Sequence, residues 1–342
     1  MITSIKRGDS LQGLDDLFGY TASDVEKTST IEVVSSGNLN LALDEFKAYL
    51  KCFEKLKDDP FGRSEHNTNL VLTSEEINSY FLMIQSFRDN KTYRNTAPLL
   101  NSLIQNSYDA GNNDFTINLS EGSPYSLIYK LHGDENNPLK ITVLGDISTF
   151  AGEFSSHLNL SVKGDIYNNS FFSVRNSSIS IEGDVSSSFL HSSYNVNVNL
   201  CGNAHSKFGE FSTNLNAIIK GDVGKWFGLH STNLNATING NALTELGKGA
   251  SNMSVIFEGG HAFSDIFFHS ENCVFKSSNK ELVERFNTEI AEQDGTIGSV
   301  TFRSYGSLIS SILNWPQSRK CNKLVFVDEK KKEKVLRRFF SI

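Results

Sequence analysis

Proline is scarce in this chain, and it is missing altogether from a long central stretch. Only 5 prolines occur in 342 residues, and none lies between Pro138 and Pro316. Proline lacks the backbone N–H that a strand interior donates to its neighbour. Its absence from this stretch therefore favours continuous strand pairing there.

The chain also lacks the features that mark several other classes of protein. Its four cysteines (Cys52, Cys201, Cys273 and Cys321) show no paired spacing, which argues for reduced thiols and against a disulfide framework or a zinc site. We expect Cys201 and Cys273 to lie in the core. No run of 18 apolar residues occurs, and the first residues lack the apolar stretch of a Sec signal. The net charge of −7 argues against a nucleic-acid partner. We also expect no integral membrane segment, no metal and no cofactor.

A glycine that recurs every 19 residues from Gly145 to Gly259 is the most specific feature present. With this glycine as position 1, the first six repeats have Asp or Asn at position 2 and a small apolar residue at position 3. One glycine turn in each period of about 20 residues predicts a solenoid. Glycine permits positive φ, and Asp or Asn can bond its own backbone two residues on. The predicted turn residues are Gly145, Asp146, Gly164, Asp165, Gly183, Asp184, Gly202, Gly221, Asp222 and Gly240.

The other positions of the repeat describe one coil of a parallel β-helix. Positions 14, 16 and 18 are mostly apolar, and this period of two predicts a strand with one face inward. Position 7 carries Phe189, Phe208 and Phe227, which predicts an aromatic stack in the core. Position 13 is predicted to form a second corner, where stacked Asn side chains can bond along the column about 4.8 Å apart. Its asparagines are Asn176, Asn195, Asn214, Asn233 and Asn252.

The same register extends beyond both ends of the glycine series. Counting back 19 residues places Leu139 and Val143 on strand positions and Ile128 at position 3, and 115–119 alternates as one more strand. At the other end, a one-residue insertion at Gly259-Gly260 restores the pattern. The sequence thus predicts about eight coils, a rod roughly 35–40 Å long.

We divide the chain into four parts around this solenoid. They are a mobile N-terminal segment (1–37), a helical cap (38–111), the β-helix (114–278) and a C-terminal α/β cap (279–342). In the helical cap, helices are expected at 38–57, after a capping box at Thr73, and after a cap at Thr96. In the C-terminal cap we expect helices at 279–293 and 308–315, strands at 299–302 and 324–327, and a basic helix at 330–340. The fold class is mainly β: a single-stranded parallel β-helix, right-handed because that winding is the usual one, with capped ends.

The aspartates at position 2 have two interpretations. Asp146, Asp165 and Asp184 form a column of like charges that a Ca²⁺ ion could bridge. The dense Gly/Asp motif of calcium-binding solenoid repeats is absent, however. We therefore favour a role in capping turns.

A lateral face at positions 9 and 10 is the main functional candidate. Glutamate and histidine occur there beside phenylalanine, a mixture typical of a protein-binding surface. The predicted binding face consists of Phe154, His191, Glu210, Phe211, His230 and His269. Acid–base pairs on such a face could also cleave a sugar, but here the candidates lie two or more coils apart, about 10 Å. The candidate catalytic residues are Glu153, His191, Glu210, His230 and, for its basic neighbours, Cys321.

Residues 145–258 resemble the bactofilins, bacterial β-helix proteins that polymerise, through their Gly-Asp-Val/Ile rhythm. That resemblance implies a self-assembling structural protein, whereas capped ends favour a monomer or small oligomer. A polar, Ser/Thr-rich start and a polar solenoid are also similar to bacterial effectors exported by specialised systems. We therefore expect a non-catalytic scaffold, bacterial and virulence-associated, made in the bacterial cytoplasm and acting on a protein in the host cytosol. A carbohydrate-active enzyme and a self-assembling protein are the alternatives.

Overall fold

The computed structural model describes residues 36–53, 68–85, 96–119, 122–259, 261–262, 266–267, 270–277 and 282, and the backbone of short strands outside these ranges. The helices in these ranges are α1 (Gly37–Phe53), α2 (Ser74–Ile84) and α3 (Ala97–Asp109). The strands are β1 (Thr3–Ser4), β2 (Glu32–Val33), β3 (Asp114–Asn118), β4 (Leu139–Leu144), β5 (Leu158–Lys163), β6 (Arg175–Ile181), β7 (Tyr194–Leu200), β8 (Thr213–Ile219), β9 (Thr232–Ile238), β10 (Ser254–Phe257), β11 (Val274–Ser277), β12 (Val300–Arg303), β13 (Lys323–Val327) and β14 (Glu333–Arg338).

Strands β3 to β14 form one twelve-stranded sheet in which neighbours in the chain are neighbours in space. The strands from β3 to β11 are all parallel, and equivalent residues of successive coils pair, as Val198 does with Ala217. The side chains alternate between buried and exposed along each strand, so that β7 buries Val196, Val198 and Leu200. The predicted parallel β-helix is confirmed.

A second column of pairing runs down the solenoid at position 3. Each of its members forms a parallel bridge with the equivalent residue one coil on, which closes the coils on the side away from the strands. The column continues through seven residues: Ile147, Ile166, Val185, Ala204, Val223, Ala242 and Ala262. These define seven regular coils, preceded by an irregular turn between β3 and β4.

Phenylalanines at position 7 stack down the core as predicted. The ring centroids of Phe189 and Phe208 are 5.6 Å apart, and those of Phe208 and Phe227 are 5.2 Å apart. The stack also includes Phe171, 5.4 Å from Phe189, although Phe171 stands at position 8 and position 7 of its coil is Ser170. All four rings are buried, and aromatic neighbours at such distances stabilise one another beyond the burial of their area.

Lack of space, rather than backbone conformation, explains the repeated glycine. Among the predicted turn glycines only Gly145 has a positive φ, +117°, so the prediction based on positive φ is wrong for the coils that follow. A Cβ atom on Gly221 would lie 2.5 Å from the carbonyl oxygen of Gly202 and 2.5 Å from Oδ1 of Asn203. Successive backbones thus stack too closely at this corner to admit any side chain.

The Asp/Asn at position 2 caps the next coil, and not its own turn as predicted. The backbone N–H of Asp165 donates to Oδ1 of Asp146 at 2.9 Å, and the N–H of Asp184 donates to Oδ1 of Asp165 at 2.8 Å. The same contact continues through Asp184, Asn203, Asp222 and Asn241 to the N–H of His261. A short side chain with an acceptor oxygen is therefore needed in every coil.

The second corner is built by asparagine in the left-handed conformation. Position 13 has φ between 49° and 56° from Asn176 to Asn252, a region that asparagine tolerates better than most residues. Its amides bond along the column, as predicted: Nδ2 of Asn195 donates to Oδ1 of Asn176 at 2.9 Å. Nδ2 of Asn233 likewise donates to Oδ1 of Asn214 at 3.0 Å.

The 19-residue register breaks at one place that was predicted and at one that was not. The insertion at Gly259-Gly260 is confirmed, because Asn241 and His261 bond across 20 residues. Upstream, His132 bridges to Ser156, 24 residues on, whereas Leu139 pairs with Leu158 at the regular spacing. Residues 133–138 therefore form an inserted loop.

This upstream insertion overturns the prediction for Ile128. The carbonyl of Leu127 accepts the N–H of Gly152, and in a regular coil this acceptor is the residue at position 7. Leu127 therefore corresponds to position 7, and Ile128 to position 8 rather than position 3. Ile128 is buried there in a turn with a φ of 64°. Counting by 19 failed because it could not detect the additional residues.

The helices before the solenoid pack on its first strand. Thr73 and Glu76 form the predicted capping box at the start of α2. The side chain of Thr96 makes no capping bond to α3, contrary to the prediction, and Pro98 occupies the first turn instead. Helix α2 packs against β3, and Nε2 of Gln85 donates to the carbonyl of Asn118. This end of the sheet is therefore covered.

The C-terminal segments extend the sheet rather than forming the predicted basic helix. Strands β12 and β13 lie where strands were expected and pair in parallel. The range predicted as a helix at 330–340 contains β14, which pairs antiparallel with β13, Val335 opposite Val325. The edge of β13 that does not pair with β12 offers backbone hydrogen bonds, which β14 makes and a helix would leave unmade. Of the helix expected at 279–293, the structure describes Leu282 alone, which is helical and buried. The helix expected at 308–315 and most of 1–37 lie outside the described residues.

Candidate binding face

The lateral face is shaped by backbone that alternates in handedness between positions 6 and 10. Lys207, Gly209 and Phe211 have φ values of 65°, 67° and 55°. The N–H of Lys207 donates to Lys225 in the next coil, and the N–H of Gly209 donates to Phe189 in the preceding coil. Because each of these backbone amides has a hydrogen-bond partner, the backbone can hold bulky residues in this left-handed conformation. The side chains at positions 9 and 10 can then both lie at the surface.

Six aromatic rings on this face follow one another along the solenoid. We call them the lateral ladder; they are Tyr129, Phe154, Phe172, His191, Phe211 and His230. Successive centroids are 6.0, 5.5, 5.1, 5.4 and 5.2 Å apart. Each coil contributes one ring, from position 9 or from position 10, so the ladder crosses the boundary between the two columns.

The exposed edges of the ladder form an apolar stripe. Phe154 is 42% exposed and Phe211 is 48% exposed. The ring of His230 lies almost parallel to that of Phe211, at 18°. A Cβ atom on Gly249 would collide with the ring of His230, so the glycine of the next coil leaves room for it.

An ion-pair group joins the ladder at its centre. Oε2 of Glu210 lies 3.9 Å from Nε2 of His191 and 3.7 Å from Nζ of Lys207. Nδ1 of His191 lies 2.9 Å from the hydroxyl oxygen of Ser192. The carboxylate of Glu210 is thus enclosed between two cationic or hydrogen-bonding groups, and its residue is buried.

A lysine cluster, which sequence reasoning missed, borders the ladder at positions 5, 6 and 9. Nζ of Lys225 lies 4.4 Å from the centre of the Trp226 ring and 3.0 Å from Oε1 of Glu245. Nζ of Lys248 lies 2.5 Å from Oε2 of Glu245, and Nζ of Lys207 lies 5.4 Å from the centre of the Trp226 ring. The hydrogen bond from Lys248, assisted by those from Lys225 and Trp226, outweighs desolvation and lowers the pKa of Glu245 to about 2. The offset of 19 residues from Lys207 to Trp226, and from Trp226 to Glu245, was the available signal.

The structure brings most of the predicted binding face together. Phe154, His191, Phe211 and His230 belong to the ladder, and Glu210 contacts His191. His269 lies outside the described residues. Tyr129 and Phe172 were not predicted, because Tyr129 precedes the regular repeat and the residue type at position 9 changes from coil to coil.

The catalytic candidates do not assemble into a paired-acid site. Glu153 is buried and stands three coils from Glu210, about 14 Å at strand spacing. Paired carboxylates that hydrolyse glycosides lie about 5–9.5 Å apart. The expectation that all candidates lie at least two coils apart is nevertheless wrong for His191 and Glu210, which are neighbours. Cys321 lies outside the described residues.

The remaining cysteines and acidic columns take other roles. Cys273 is buried, as predicted, and burial raises the pKa of its thiol. Cys201 is exposed at the end of β7, near Nζ of Lys220, so the prediction that it is a core residue is wrong. Within the described ranges, no three His, Cys, Asp or Glu side chains come close enough together to hold a metal ion.

No helix in the described part of the chain is both long and apolar enough to cross a membrane. No family model, curated protein or solved structure matches this chain.

Proposed function

We propose that this protein is a non-catalytic binding scaffold whose lateral ladder contacts a protein partner. The observation that carries the proposal is the continuous row of aromatic rings, in which Phe154 and Phe211 expose 42% and 48% of their surface. Aromatic residues with adjacent charged groups are typical of the energetic centres of protein interfaces. The hydrogen-bonded backbone beneath these rings is rigid, which limits the conformational entropy that the rings lose when a partner binds.

The orientation of the rings favours protein over sugar. The Phe172–His191 and Phe211–His230 pairs are stacked at 19° and 18°, so that each ring covers a face of its neighbour. Sugars stack on open ring faces, whereas apolar side chains pack equally well against ring edges. The stacked part of the ladder therefore suits aliphatic side chains.

The spacing of the ladder favours a helical segment of the partner. Ring centroids from Phe154 to His230 follow at 5.1 to 5.5 Å, and the coils that carry them rise about 4.8 Å each along the axis. Both intervals are nearer to the 5.4 Å pitch of an α-helix than to the repeat of a strand. An extended strand repeats its side chains on one face about every 6.8 Å, which would lose register within two coils. We propose an amphipathic helix that lies along the solenoid axis, with apolar residues at i, i+4 and i+7.

The charged residues beside the lateral ladder indicate which residues flank the apolar face of that helix. The lysine cluster and its surroundings carry Lys207, Lys225 and Lys248 against Glu210 and Glu245. The excess of positive charge favours acidic residues on the adjacent side of the partner helix.

The contact between His191 and Glu210 supports one alternative, an acid–base role toward a carbohydrate. A histidine and a carboxylate 3.9 Å apart can share a proton during catalysis. Against this, the Glu210 side chain is only 10% exposed and the second acidic candidate is remote. Self-assembly, the other alternative, is disfavoured by the helix that packs on β3.

We further propose that the protein is a bacterial effector that acts on a host protein as a monomer or small oligomer. The support is compositional: residues 1–37 are polar and rich in Ser and Thr. Comparison of secretion between a wild-type strain and one that lacks its specialised export system tests this part of the proposal.

Affinity capture from host lysate with matched variants tests the binding function. Wild-type protein and Tyr194→Ala should capture the same protein, whereas the double variant Phe154→Ala/Phe211→Ala should lose it. Tyr194 is 48% exposed but lies outside the ladder, so it controls for the loss of an exposed ring. Equal capture by all three proteins would refute the ladder as the binding face.

A further inference from the structure

A polar groove lies between the inserted loop and the asparagine corner, away from the lateral ladder. Its volume is about 410 Å³. Asp134, Glu135 and Pro138 of the loop form one wall, and His157 and Asn176 contribute to the other. The groove exists because of the 24-residue coil, since a regular coil would have no loop at this place.

The loop that forms the groove is held in place by several bonds. The backbones of Asp134 and Asn137 bond reciprocally at 3.3 and 3.2 Å. Oδ1 of Asp134 accepts the N–H of Asn136 at 2.9 Å, and the Tyr108 hydroxyl donates to the carbonyl of Asn137 at 2.6 Å. The groove is therefore preformed, which reduces the entropy cost of binding.

The asparagine corner offers the groove a fixed array of donors and acceptors. Nδ2 of Asn195 donates to Oδ1 of Asn176, and Nδ2 of Asn176 donates to Nε2 of His157 at 3.2 Å. Each amide has a second N–H and a second lone pair, and Asn176 and Asn195 are exposed to solvent.

A second column of polar side chains runs beside the first. Asn159, Ser178 and Asn197 stand on adjacent strands at the same register and are exposed in the groove. The strand spacing sets them about 4.8 Å apart, so the two columns together span about 10 Å along the axis. A ligand that fits must present hydroxyl or amide groups at a similar interval.

We propose that this groove binds a neutral disaccharide unit of a glycan. Sugar hydroxyls both donate and accept, as the amides and hydroxyls of the two columns require, and the carboxylates of Asp134 and Glu135 accept from hydroxyls. Within the described part of the chain no Lys or Arg lines the groove, so an anionic ligand would find no counter-charge. Pro138, which is half-buried, supplies the small apolar surface on which a pyranose ring packs.

Isothermal titration of the full chain with cellobiose, lactose, mannobiose and chitobiose tests this site. At least one of them should bind at millimolar concentration or below. Asn159→Ala and Glu135→Ala should each weaken that binding about fivefold to tenfold, the effect of one lost hydrogen bond. Asn235→Ala is the matched control, because Asn235 stands in the same register position as Asn159 but outside the groove.

Three outcomes would overturn the proposal. They are the absence of binding by all four disaccharides, equal binding by wild type and Asn159→Ala, and tighter binding of the corresponding uronic acid disaccharides. Thermal unfolding of each variant establishes that it is folded before its titration is interpreted.

Discussion

His191 and Glu210 stand at the same position of adjacent coils, and their side chains meet with Nε2 and Oε2 3.9 Å apart. The contact links the lateral ladder, in which His191 stacks on Phe172, to a carboxylate that also faces Lys207. We propose that it holds the histidine ring in the stack. A structural role and a catalytic role for this contact have different consequences on substitution.

Glu210→Gln separates these two roles. If Glu210 only positions His191, the variant retains partner capture, because glutamine preserves the volume and an acceptor. Partly exposed ion pairs contribute about 0–1 kcal/mol, so the urea midpoint should shift little. A glycan-cleaving activity in the wild type that disappears in Glu210→Gln would instead support the enzyme.

Gly221→Ala should destabilise the solenoid strongly. Its Cβ atom would lie 2.5 Å from the backbone of the preceding coil, and overpacking of this kind costs about 1–3 kcal/mol. Gly37→Ala is the control, because no atom lies within 4 Å of the added Cβ there. Urea denaturation of both variants measures the difference, and equal midpoints would mean that the coils can separate at this corner.

Asp165→Asn should be nearly neutral, whereas Asp165→Ala should cost about 1–2 kcal/mol. Asparagine keeps the oxygen that accepts the N–H of Asp184, and alanine leaves that donor without its partner. Thermal unfolding with and without Ca²⁺ distinguishes this role from metal binding. A rise in melting temperature with Ca²⁺ that is lost in Asp165→Asn would contradict the capping role.

Glu245 should contribute a pH-dependent part of the stability. Its pKa is lowered from 4.5 to about 2 in the folded protein, so its stabilisation is fully present above the unfolded value. It is lost as the pH falls from about 4.5 to about 2. The free energy of unfolding of Glu245→Gln, followed over this range, should fall less steeply than that of the wild type. Parallel curves would show that the lysine contacts do not persist in solution.

Much of the fold could be predicted from the sequence because its core positions recur. Apolar residues such as Val198, Ala217 and Ala236 face inward at one fixed interval, and this fixes strand, register and sheet together. The physical reason for the glycine could not be obtained in the same way. Positive φ and a lack of space both select glycine, and only the positions of Gly202 and Asn203 beside Gly221 distinguish them.

The candidate site was predicted only in part, because it depends on contacts between coils that differ. Phe211 and His230 share position 10, so their stacking follows from the repeat. Phe172 and His191 share position 9, and the passage of the ladder from one column to the other has no periodic signal. The groove beside Asp134 escaped prediction for a related reason, since it arises where the repeat is interrupted.

Site-specific photo-crosslinking tests the central claim, that the lateral ladder is the binding face, most directly. Benzoylphenylalanine replaces Phe211 in one protein and Tyr194 in another, and both are exposed to host lysate under light. We predict one crosslinked partner from position 211, joined through a helical segment with an acidic flank, and none from position 194. Crosslinking from position 194 alone, or the same products from both positions, would contradict the claim.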